Sequence, residues 1–183
     1  MAKKGDGEVL RSACELRGTL FEAAIGNYLQ KSLEPCYVRY DKTFFSKKLS
    51  KPTAIDVLVV TAKFILVVEA KNWSDWIRGT INDFHWLGSS RSKSTMKVIS
   101  PYWQNFNHVR VLRNAVTAKG HQLPPVLSLI VVPDGTTIET DCDNVCHFSE
   151  MMVFIDRMSA GFWMEYNKDK VLKAIMGITG EDA

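Results

Sequence analysis

Apolar and polar positions divide the chain into segments of clearly different period. From about Glu8 to Leu33 the apolar positions Leu16, Leu20, Ala23, Ala24 and Leu29 recur at threes and fours, which predicts a helix. Residues 36–45 (CYVRYDKTFF) are rich in aromatic and β-branched types and predict a strand. Two denser runs follow, AIDVLVVT at 54–61 and KFILVVEAK at 63–71. Their continuous Val, Ile and Leu content predicts strands buried on both faces, and the short break between them predicts a hairpin. Residues 72–87 allow one further strand, and GSSRSKSTMK at 88–97 is expected to be a polar loop. A helix is predicted from Pro101 to about Ala118, with the proline in the first turn. VLSLIVVP at 126–133 and VCHFS at 145–149 predict two more strands. Helices are expected over roughly 150–158, with Ser149 as N-cap, and over 167–176. Residues 1–7 are expected to be a flexible tail and 8–183 a single domain. The order predicts an α/β fold, a mixed central sheet flanked by helices.

Composition narrows the function classes only slightly. Of the 183 residues 46% are hydrophobic, enough for a full core, and no run approaches a membrane span. The opening MAKKGDGEVL is charged with no apolar segment behind it, so no secretory signal is expected, and the cytoplasm is the expected location. A net charge of +3 does not by itself point to nucleic acid. Cys142, Cys146 and His147 lie close together, but a strand with half-buried cysteines explains them better than zinc, which usually takes four ligands.

The chemistry concentrates on the hairpin. With a two-residue turn at Ala62–Lys63, Thr61 opposes Phe64, and counting back places Asp56 opposite Glu69. Opposed residues bring their β-carbons to about 4.5–5.5 Å. Two carboxylates that close in apolar strands are unfavourable without a cation, and Mg²⁺ or Mn²⁺ is the natural one. Glu69 and Lys71 share a strand face, so the lysine could orient water or neutralise charge developing on a phosphate. The pieces fit metal-assisted phosphodiester hydrolysis. A surface salt bridge at two strand ends remains the competing account of the same three residues.

Further residues then line up. The run from Ile55 to Trp73 carries an Ile-Asp pair, a hydrophobic strand, and a second strand ending in Glu69, Lys71, Asn72 and Trp73. It closely resembles the NERD domain, the nuclease-related domain of the PD-(D/E)xK nuclease superfamily. That family's G-x-x-G-E element is matched by Gly18 and Glu22, with Phe21 in place of the second glycine. Its N-P-x-x-Q element is matched by Pro101 and Gln104, with Ser100 in place of the asparagine. The resemblance covers roughly residues 15–133 and implies a restriction-endonuclease-like core. It implies that Asp56 and Glu69 are metal ligands, that Lys71 is the catalytic lysine, and that Glu22 and Gln104 reach the site from helices, Glu22 as a further ligand or a water-mediated partner and Gln104 to orient the metal site or a phosphate.

Other features are expected to support that site. His108 lies four residues after Gln104 on the same helix face and could touch phosphate, though a half-buried structural histidine is the simpler reading. Trp73, Trp76 and Trp86 could stack on bases but more simply pack in the core, with Trp73 buttressing Lys71. Two basic stretches, one with Lys42, Lys47, Lys48 and Lys51 and one with Arg91, Lys93 and Lys97, could hold backbone phosphates without reading sequence. DNA is the expected partner, and pairing of two chains is compatible with cutting both strands. A non-catalytic nucleic-acid-binding module and a protein-interaction domain on the same scaffold are the alternatives. The stretch MMVFIDRMSAGFWM could serve either the core or a subunit interface.

Overall fold

The computed structural model describes residues 5–45, 52–73, 75–89, 94–117, 120 and 122–179. Helix α1 runs over Gly5–Ser32 and leads into β1 (Tyr37–Phe45), β2 (Pro52–Val60) and β3 (Ile65–Ala70). Three further strands, β4 (Trp76–Arg78), β5 (His85–Ser89) and β6 (Thr95–Ile99), precede α2 (Pro101–Thr117). Then come β7 (Val126–Val132), β8 (Thr137–Glu139), β9 (Val145–His147), α3 (Met151–Ser159) and α4 (Lys168–Thr179).

The central sheet has the order β1-β2-β3-β7-β9. Its first three strands form an antiparallel meander, and β7 and β9 extend it in parallel. The hairpin register is the one the two-residue turn predicts: Val60 pairs with Ile65 and Val57 with Val68. Thr61 closes the turn, its N–H donating to the Phe64 carbonyl at 3.0 Å.

Both faces of this sheet are covered, as the continuous apolar runs require. On one face Val57, Val59, Leu66, Val68, Leu129 and Val131 pack with Ile25 and Leu29 of α1 and with Met151 and Ile155 of α3. On the other, Leu58, Val60, Ile65 and Val67 meet Val111, Leu112 and Val116 of α2 and Val171, Ala174 and Ile175 of α4. In α1 the apolar spacing misleads in part. Leu16 and Leu20 are exposed, and burial falls on Ile25 and Leu29.

The segment read as one strand and a polar loop contains most of a second sheet, ordered β6-β5-β4-β8. Thr95–Ile99, expected to be mostly loop, pairs antiparallel with β5. Its alternate residues Met96 and Val98 turn inward to Trp73, Ile77, Trp86, Ile130 and Val132. Trp73 and Trp86 are therefore packing residues, as expected. The stretch at 151–164 is split: Met151 and Ile155 enter the core, while Val153, Trp163 and Met164 are exposed. Cys146 and Cys142 are buried in different clusters. Before α3 the chain makes a single 3₁₀ turn, Phe148–Glu150. Ser149 is not the cap: its N–H is taken by Asp134, and the residue preceding α3 is Glu150.

Candidate active site

The site forms where β2 and β3 separate. Continuing the hairpin register one step past Val57–Val68 places Asp56 across from Glu69. There the Asp56 side chain takes over from the backbone ladder, its Oδ2 accepting the Ala70 N–H at 2.8 Å. Glu69 continues the alternation of Ile65 and Val67 and points to the α2 side, with only 2% of its surface exposed. A carboxylate so buried needs partners. It has two: Lys71 Nζ lies 2.6 Å from Oε1, and His108 Nε2 lies 3.0 Å from Oε2.

The two carboxyls respond to their surroundings in opposite directions. Burial alone would raise Glu69, but the His108 hydrogen bond and the Lys71 charge outweigh it and hold Glu69 below its ordinary range. Asp56 is pushed up to about 7, first by burial and then by the charge of Glu69, with Glu22 adding to the push. The Ala70 N–H and Lys71 offset only part of this. At neutral pH Glu69 is thus ionised, and Asp56 is poised between its two forms.

Helices complete the surroundings. Glu22, half-buried on α1, lies within electrostatic reach of Asp56. The amide of Asn72 donates to the Arg17 carbonyl at 2.9 Å and ties α1 to the end of β3. Phe21, the departure from the family pattern beside Glu22, packs against the main core and the Phe148 ring. On α2, Ser100 caps the helix, its buried Oγ accepting the Trp103 N–H at 3.4 Å. Ser100 thus performs the role an asparagine would.

Gln104 is half-buried one turn before His108, and no hydrogen bond joins it to the carboxylates among the described residues. His108 is the residue that reaches the site from α2. An ionised carboxylate only accepts, so His108 Nε2 carries the proton, and in the neutral ring Nδ1 accepts from the Thr53 hydroxyl at 2.6 Å. Its spacing from Gln104 was the one sequence signal for this role. Trp73 is tied to Lys71 through its N–H, which donates to the Lys71 carbonyl at 2.8 Å; its ring lies against Gly88 and its carbonyl is held by the Thr136 hydroxyl at 2.6 Å.

Lys97 is exposed on β6. Lys47, Lys48, Lys51, Arg91 and Lys93 lie outside the described residues, as does the side chain of Lys42. Among the described residues no three His, Cys, Asp or Glu side chains converge tightly enough to hold a metal ion. By donor type Asp56 and Glu69 fit a hard divalent cation, for which one or two carboxylates suffice. Burial is the larger cause of the raised Asp56 pKa; the Glu69 charge is the part of it that a cation would relieve. Such an ion would compete with Lys71 for Glu69 Oε1.

Among curated proteins, an uncharacterized protein of Bacillus anthracis is 30% identical over 99 residues, covering 52% of this chain. The chain spans 45% of that relative's length, less than half. Among solved structures, the small subunit of the heterodimeric restriction endonuclease R.BspD6I aligns over 90% of this chain and 81% of its own, with a TM-score of 0.33 and 10% identity. The family model of the nuclease-related domain matches residues 17–133, more than half of the chain, a span that holds Glu22, Asp56, Glu69, Lys71, Gln104 and His108. The chain belongs to the nuclease-related domain family.

Proposed function

We propose that this domain hydrolyses phosphodiester bonds of nucleic acid, with DNA as the substrate class, through Asp56, Glu69 and Lys71. The observation that carries the reading is Glu69. It is buried, held ionised between Lys71 and His108, and faces a second carboxyl whose pKa is pushed up to about 7. Asp56 also takes the Ala70 N–H, but a neutral side chain could do that without setting a second carboxyl against Glu69.

Asp56 and Glu69 are the residues that would hold Mg²⁺ or Mn²⁺; Glu22 on α1 acts on Asp56 through its charge and does not converge with them into a three-ligand cluster. Such an ion, when bound, supplies polarisation of a phosphoryl oxygen and acidification of water. The chain's own residues do the rest. Lys71, at the partly exposed edge of the site, would give up Glu69 and place its ammonium beside the attacking water or the developing phosphate charge. His108 would keep Glu69 oriented while that exchange takes place, with Thr53 fixing the ring. Gln104, one turn earlier, would orient the phosphate or the outer edge of the site.

One observation favours a second reading. Both oxygens of Glu69 are already engaged, which suits a non-catalytic nucleic-acid-binding module in which Lys71 never leaves its carboxylate. A cleavage assay separates the two. Purified protein is incubated with linear, circular and single-stranded DNA, with and without Mg²⁺ or Mn²⁺, beside Asp56→Ala and Lys71→Ala. Metal-dependent cleavage that both variants lose supports the nuclease. Binding with no cleavage on any substrate leaves the module.

A further inference from the structure

The outward face of α2 has a composition unusual for a solvated helix. Pro101–Thr117 contains no aspartate or glutamate. Ordinary surfaces intersperse both signs. At helical spacing its outer face presents Trp103, Phe106, Arg110 and Arg113, opposite the buried Asn105, His108 and Leu112. Phe106 is 45% exposed, a large apolar ring left in water. It is not loose. Trp103 holds it edge-on at 5.5 Å, and Tyr102 in turn holds Trp103 at 5.6 Å, so the ring is fixed before anything binds.

The two arginines continue this line. Among the described residues Arg110 bonds the Asn107 side-chain oxygen, at 2.9 Å, and Arg113 reaches the Val126 carbonyl at 3.4 Å. Neither forms an ion pair among the described residues, so both charges stay available. A guanidinium has five donors, and each arginine here spends few of them. Phe106, Val109, Arg110, Arg113 and Asn114 line a shallow depression along the helix.

We propose that this face of α2 binds single-stranded nucleic acid, Phe106 stacking on a base and Arg110 and Arg113 taking the phosphates that follow. The stripe from Trp103 to Arg113 is about 15 Å long, room for a short run of nucleotides. A fixed aromatic ring next to unpaired positive charge is the combination that single strands use, because their bases present open π-faces. A duplex keeps its bases stacked and offers the ring nothing. A purely apolar protein partner would leave two guanidinium groups without counter-charge. The inner face of the same helix carries His108 to Glu69. A strand on the outer face therefore lies about one helix diameter, roughly 10 Å, from the site. The inference rests on the nuclease reading for its meaning: it names substrates with an unpaired flank as the preferred class.

Binding of the full chain, kept in chelator so that nothing is cut, is measured by fluorescence anisotropy. The probes are a labelled oligothymidylate and a labelled blunt duplex of equal length. The single strand is expected to bind more tightly than the duplex. Phe106→Ala is expected to weaken single-strand binding about tenfold. The double variant Arg110→Ala/Arg113→Ala is expected to flatten the salt dependence by about 1.4 in log–log slope, about 0.7 for each phosphate contact. Circular dichroism confirms that each variant is folded. Folded variants that bind like the wild type overturn the inference, as does a wild type that ignores the single strand. A change in sedimentation rather than in binding overturns it too, because the face is then an interface between copies. Intact single-strand binding with no metal-dependent cleavage removes only the nuclease reading. Metal-dependent cleavage with unaffected variants removes only this inference.

Discussion

His108 on α2 and Glu69 at the end of β3 lie 3.0 Å apart, joined across 39 residues of chain, and Thr53 stands on the far side of the ring at 2.6 Å. Removing the imidazole leaves a carboxylate that is 2% exposed with Lys71 as its remaining ion-pair partner. A charged group stripped of one buried hydrogen bond costs about 2–3 kcal/mol. His108→Ala is expected to lose about that much stability in urea unfolding and to lose the proposed nuclease activity by more than the folded fraction explains. His108→Gln can still donate to Glu69, and it should recover most of the stability.

The opposed shifts of Asp56 and Glu69 give the metal-free protein a pH dependence whose sign can be worked out. Asp56 is raised from 3.8 to about 7 on folding, so between those values the folded state binds more protons than the unfolded one. Its contribution is fully present below the unfolded pKa and is lost as pH rises through about 7. Glu69, which is lowered, has the opposite sign, and its contribution is lost only on acidification. Thermal melts of the wild type and Asp56→Asn in chelator isolate the first group. The wild type should fall relative to the variant between about pH 4 and pH 7. A constant difference would contradict the raised value. Added Mg²⁺ should stabilise the wild type more at pH 8 than at pH 6, since metal and proton compete for one carboxyl.

The hairpin was readable because a short turn fixes register, and register then places every later pair, down to Asp56 opposite Glu69. Two-sided burial was readable for β2, β3 and β7 because each carries an unbroken apolar run, at Val57–Val60, Ile65–Val68 and Leu129–Val132. The second sheet was not. Strands β4 and β8 have three residues each, too few for a period, and β6 shows one half-buried face in a polar sequence. What holds them is pairing with strands far away in sequence, Trp76 with Thr137 for example. His108 was undervalued for the same reason. Nothing local to a histidine on a helix says that a carboxylate of β3 waits opposite it.

Asn105, adjacent to Gln104, locks α2 to the sheet. Its amide donates to the Val67 carbonyl at 3.1 Å and to the Leu129 carbonyl at 3.0 Å, bridging β3 and β7 with no exposed surface of its own. Asn105→Leu keeps comparable bulk but leaves two buried carbonyls without that donor. It is expected to cost about 2–4 kcal/mol, read as a lower urea midpoint at unchanged slope. Since the bridge sets how α2 lies on β3, the His108–Glu69 contact should loosen with it. In the folded fraction, activity should then fall as it does in His108→Gln or further. Full activity in a destabilised protein would separate the bridge from the site.

Gly88 gives the sharpest test of the link between the second sheet and the site. A β-carbon built there would lie 2.8 Å from the Trp73 ring, closer than such atoms approach, and the obstacle is a buried aromatic. Trp73 cannot retreat easily. Its carbonyl is held by Thr136, and its N–H donates to the Lys71 carbonyl at 2.8 Å. Gly88→Ala must therefore shift the Trp73 ring or the strand, at a cost of about 1–3 kcal/mol for an overpacked position. The shift is transmitted to Lys71 through the two peptide links by way of Asn72 and through that hydrogen bond. Cleavage should drop more than tenfold while single-strand binding on α2 stays as in the wild type. The compensating pair Gly88→Ala/Trp73→Phe, which trims the ring where the methyl group intrudes, should recover stability. Recovery of stability without any recovery of cleavage would mean that the indole itself, not only its position, supports Lys71.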